Sequence, residues 1–148
     1  QYREVTNMSF NYMNAQTIAF NDVSATLGAA DERINVGRVS QPVDVSAIKT
    51  VVGVTGGLAA NGSNYVALGP EDGGSAGTGT TDIGTAVTSA STAFTDLTPR
   101  AVTASTSAGD LDADDYINLH IDETGSVSAV TGIYMFSEYV QGLPDGIA

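Results

Sequence analysis

Apolar and polar residues alternate most cleanly at Tyr116-Ile117-Asn118-Leu119-His120-Ile121-Asp122. A period of two places Ile117, Leu119 and Ile121 on the core face of a strand and the other four on its outward face. The run Ile48–Val54 is apolar on both faces, with Lys49 its one charge, which suits a central strand. A turn at Ala60-Asn61-Gly62-Ser63 and a second run, Tyr65–Leu68, follow. Gly69–Gly79 then reads as a long loop, so the segment predicts a hairpin with a large excursion at one end.

Further strands are expected on either side. Thr17–Phe20 and Val23–Leu27 are short candidates. Arg33–Val39 puts Ile34 and Val36 on one face and is broken by Pro42. Arg100–Ala104 follows Pro99. Val127–Val140 is a long last strand that spreads Ile133, Tyr134, Met135, Phe136 and Tyr139 over both faces. Ala86–Phe94 either continues extended or forms a short helix. Strands at intervals of roughly 8–12 residues predict an all-β fold, a β-sandwich. Within Gln1–Gln16, Tyr2, Met8, Phe10 and Tyr12 share one parity. An extended chain would line them up either as a first core strand or as an arm lying on another subunit. The expected organisation is an extended N-terminal arm over 1–16 and a single β-sandwich domain over 17–148.

Composition supports the strand reading. Of the 148 residues 42% are apolar and 15% charged, so the chain can bury a core and lacks the signature of disorder. The net charge is −12. Residues 1–74 carry four basic and seven acidic side chains, net −3, and residues 75–148 one basic (Arg100) and ten acidic, net −9. Such a surface repels phosphate, which argues against nucleic acid and anionic membranes as partners. No run approaches the ~20 apolar residues of a membrane span, and no signal-peptide pattern is visible. The start at Gln1 rather than Met leads us to expect that something before it was removed or is not included. Cysteine is absent, which excludes disulfides and thiol catalysis.

Candidate chemistry is thin. Gly73-Gly74-Ser75-Ala76-Gly77 matches the G-x-S-x-G of a hydrolase elbow, but no helix pattern follows it and the one histidine, His120, sits on a strand's polar face. Asp110, Asp112, Asp114 and Asp115 resemble the opening of a calcium loop. The glycine and glutamate that an EF-hand requires are replaced by Asp115 and Ile121. A weak non-EF calcium site and a solvated loop both stay open. His120 has no second His or Cys for zinc and reads as a surface histidine. The glycine loop lacks the lysine of a P-loop. Asn7-Met8-Ser9 and Asn61-Gly62-Ser63 are formal glycosylation sequons. We therefore expect no enzyme, no cofactor and no metal, and instead a structural or binding role.

The segments Thr50–Gly56, Ser63–Val66, Gly79–Ile83, Leu111–Leu119 and Glu138–Val140 resemble small virion proteins of tailed bacteriophages, specifically head decoration (cement) proteins. The resemblance covers about residues 47–140 and rests on strand and turn patterns. It implies a β-sandwich or jelly-roll body, a homo-oligomer, most often a trimer, and a place on the outer surface of the capsid. The role it implies is to stabilise the head by bridging neighbouring major capsid proteins. Tyr2, Arg3, Phe10 and Tyr12 become the capsid-interface candidates, with the acidic half facing solvent. Two other readings stand beside it. One is a carbohydrate- or receptor-binding sandwich of a phage tail or cell surface, using Tyr65, Tyr116, Tyr134 or Tyr139 as platforms. The other is a hydrolase using Ser75.

Overall fold

The computed structural model describes residues 12–18, 31–127, 130 and 132–141. Ten strands follow in order: β1 (Tyr12–Ile18), β2 (Asp31–Arg38), β3 (Lys49–Thr55), β4 (Tyr65–Gly74), β5 (Thr81–Asp82), β6 (Gly84–Thr85), β7 (Val87–Thr88), β8 (Arg100–Ala104), β9 (Tyr116–Thr124) and β10 (Gly132–Gln141). A single 3₁₀ turn, Val45–Ala47, is capped by Asp44, whose Oδ1 accepts from the Ser46 N–H at 2.8 Å. The fold is all-β.

The strands make two antiparallel sheets, β1-β10-β3-β8-β6 and β2-β9-β4-β5, with β7 also on β4. Strands of five or more residues alternate between the sheets along the chain. The first pairs with the last, β2 with β9, β3 with β8, and β4 with β5 and β7. This nesting is the order of a jelly roll. Immunoglobulin sandwiches group their strands differently. The fourth pairing is broken into three pieces. β5 and β7 sit on β4, while β6 between them crosses to β8 in the other sheet. The chain there stitches the two sheets together along one side. Gly84 permits it: a Cβ at that position would meet Val102 Cγ1 at 2.6 Å and Pro70 Cγ at 3.1 Å.

Alternation builds the core. Val52 and Val54 of β3 and Ile133 and Met135 of β10 face Val66 and Leu68 of β4 and Leu119 and Ile121 of β9, all buried. Two loop bridges, Val43–Leu111 and Leu58–Phe94, close the ends. The paired hydroxyls of Thr50 and Ser137 sit 2.8 Å apart between β3 and β10, so each buried oxygen has a partner.

Two expectations need correction, and one alternative is decided. Ile48–Leu68 is no hairpin: β3 lies in one sheet and β4 in the other, and the Asn-Gly turn belongs to a crossover. There the Asn61 side-chain Oδ1 accepts from the backbone N–H groups of Ser63 and Asn64, which stabilises a turn but sets no register between the flanking strands. Residues 69–74 are the second half of β4 rather than loop, and only the segment up to β5 turns. No helix forms in Ala86–Phe94, which holds β7 and bends. The end of the predicted arm, from Tyr12, pairs with β10 as an edge strand. Tyr2, Arg3 and Phe10 lie outside the described residues, as does the Tyr12 side chain.

Candidate functional site

The chemistry of the molecule gathers on the outer face of the second sheet. Same-face residues stack in rows across its strands. One row runs Arg33 (β2), His120 (β9), Gly69 (β4). The next runs Asn35, Asn118, Glu71, Asp82 (β5). Asp31 and Asp122 pair in the row beyond Arg33.

Glu71 is the anchor. It is a carboxylate with 2% of its side chain exposed, on a face that polarity alone would assign to water. A buried carboxylate is tolerable only when paired and hydrogen-bonded. Arg33 donates through Nε to Oε2 at 2.6 Å and through Nη2 to Oε1 at 3.2 Å. His120 Nδ1 lies 2.8 Å from Oε1, and its Nε2 lies 2.7 Å from Asp31 Oδ1. Arg33 Nη1 also donates to Asp31 Oδ1 at 2.6 Å. The His120 hydrogen bond, with the Arg33 charge beside it, holds the Asp31 carboxyl below its ordinary value. The hydrogen bond to Glu71 raises Arg33 above its own.

The glycine turn explains why this face is partly dry. Gly77 lies against Asn35, and its carbonyl accepts from Asn118 Nδ2 at 3.1 Å. A Cβ on Gly73 would collide with the Asn118 amide, and one on Gly77 with the Asn35 amide, so glycine lets the chain lie flat over both. Asn118 is fully buried and its Oδ1 has no hydrogen-bond partner. His120 is therefore a half-buried member of an ion network, with 19% of its side chain exposed, rather than the surface histidine its strand position suggests.

The other candidates disperse. Ser75 is exposed in the turn, and its neighbours serve that turn: Asp72 Oδ1 accepts from the Gly74 N–H and Gly74 O from the Gly77 N–H. In the acidic loop Asp115 and Asp114 have partners. Asp115 is buried, with Oδ2 accepting from the Asp112 N–H at 2.9 Å, and Asp114 pairs with Arg38 at 3.3 Å. Of the tyrosines considered as sugar platforms, Tyr139 is buried, Tyr134 covers Gly53, and Arg38 sits over the Tyr116 ring at 5.6 Å. A shallow groove of about 280 Å³ at one end, lined by Leu58, Asn61, Asn64 and Ser126 among others, offers no ring for stacking and no titratable side chain.

Sequence reasoning missed the network because its members, Asp31, Arg33, Glu71 and His120, come from three strands far apart in the chain. The one available signal was Glu71 inside a stretch otherwise rich in glycine. Comparison of the chain with family models, with curated proteins and with solved structures finds no match.

Proposed function

We propose that this chain is a structural, non-enzymatic protein of a tailed-bacteriophage virion, a decoration or cement protein on the outer surface of the capsid. It bridges neighbouring major capsid proteins and acts as a homo-oligomer, for which the resemblance implies a trimer. The observation that carries the reading is the jelly-roll order of a body whose interior is filled by its own apolar side chains. That architecture recurs in capsid proteins, and also in lectins and cupins. A fold alone does not assign a role. The resemblance over residues 47–140 and the net charge of −12, which suits a solvent-facing surface, support the same reading. The one histidine is held between Glu71 and Asp31.

Virion stability tests this. Heads lacking the protein should release DNA at a lower temperature than complete heads, and adding purified protein back should restore the difference. Equal release temperatures with and without it would overturn the role.

A further inference from the structure

Glu71 and Asp82 stand directly opposite one another in the β4–β5 pairing. Like charges in that relation destabilise a sheet. Arg33 and His120 answer for Glu71, but among the described residues the Asp82 carboxylate has no hydrogen-bond or ion-pair partner. The outer face thus carries the carboxylates of Asp31, Glu71, Asp82 and Asp122 around Arg33 and His120.

We propose that Glu71, Asp82 and His120 form a binding site for one divalent zinc ion, which ties β5 to β9 across β4. One ligand atom from each lies within 4.8 Å of the other two. Tetrahedral zinc with bonds of ~2.0–2.2 Å requires ligand atoms roughly 3.3–3.6 Å apart. Rotation of the exposed Asp82 side chain supplies the closure. His120 already has the posture of a ligand. Its Nδ1 faces Glu71, while its Nε2 is held by Asp31 at 2.7 Å, the carboxylate–histidine arrangement that fixes ring orientation around metals. A zinc ion between Nδ1 and Oε1 replaces the proton that joins them, and that proton leaves to solvent. Arg33 retains Oε2 through its 2.6 Å Nε bond and gives up the longer 3.2 Å contact to Oε1. One imidazole and two carboxylates select zinc over calcium or magnesium, which prefer all-oxygen shells. The proposal is independent of the capsid reading.

The test is calorimetric titration of the untagged full chain with zinc chloride, with thermal denaturation alongside. The expected result is saturable binding of one ion per chain and a raised melting temperature, with calcium chloride giving neither. Asp82→Asn touches no existing contact. By removing a like charge opposite Glu71 it should raise the metal-free melting temperature, yet weaken zinc binding at least tenfold. Asp31→Asn should weaken it about 10–100-fold through the histidine. Absence of saturable zinc binding, equal affinity in wild type and Asp82→Asn, or an equal response to calcium would each overturn the site.

Discussion

Tyr134 lies flat across Gly53, its register partner between β10 and β3. A Cβ at Gly53 would collide with Oη and Cζ at the hydroxyl end of Tyr134. Phe136 packs beside it with ring centroids 5.5 Å apart. The pair covers a glycine in the middle of a central strand, where glycine alone would weaken the sheet. Gly53→Ala is expected to destabilise the protein by about 1–3 kcal/mol, because the ring must move. In a Tyr134→Ala background the sign should reverse, with alanine favoured over glycine by roughly 0.5–1 kcal/mol. Denaturant unfolding of the four proteins checks this. An equal cost in both backgrounds would contradict the contact.

The Thr50–Ser137 hydroxyl pair predicts a coupled effect. Thr50→Val leaves the buried Ser137 oxygen without its partner and should cost about 1–3 kcal/mol. Adding Ser137→Ala removes the orphan, so the double variant should cost little more than the single one. A double-mutant cycle from urea denaturation measures the coupling. Additive costs would mean the two hydroxyls act separately.

Removing Arg33 strands a buried carboxylate. Arg33→Ala is expected to destabilise by about 3 kcal/mol, toward the low end for a broken buried pair because Arg33 itself is part-exposed. Arg33→Met with Glu71→Leu should recover most of that loss, since neither charge is then left alone. Midpoints of guanidinium unfolding curves report both. Full recovery by Glu71→Leu alone would show that Arg33 contributes nothing beyond neutralising it.

Tyrosine ionisation gives the pH dependence. Burial pushes the Tyr139 phenol above its ordinary value of 10.0; burial, with the Asp96 charge adding to it, does the same for Tyr134. Well below pH 10 both phenols are protonated in folded and unfolded chains alike, and they make stability independent of pH. Above it the unfolded chain loses protons that the folded chain keeps, so stability should fall as pH rises through that window. An ultraviolet titration should find Tyr134 and Tyr139 ionising late. Stability that holds constant above pH 10 would contradict the burial of these rings.

The sheet core was readable from sequence where alternation was strict. Ile117, Leu119 and Ile121 point inward as their period requires, and Ile34 and Val36 do the same on β2. Val52 and Val54 fill the centre as a two-sided apolar run implies. Pairing was not readable, because strands adjacent in the chain lie in opposite sheets and local turn chemistry points to hairpins. The site failed for a related reason. Polarity assigns Asn118, His120 and Glu71 to solvent, yet the glycine turn folds back over Asn118 and cross-strand ion pairs bury Glu71. Long-range coverage of a polar face leaves no periodic trace.

The capsid assignment is tested most directly by purifying intact heads and quantifying this chain in them. The account predicts that it comigrates with full capsids in a fixed ratio to the major capsid protein and is removed only by conditions that strip the outer surface. Its absence from the capsid fraction, or a ratio that varies between preparations, would contradict the assignment.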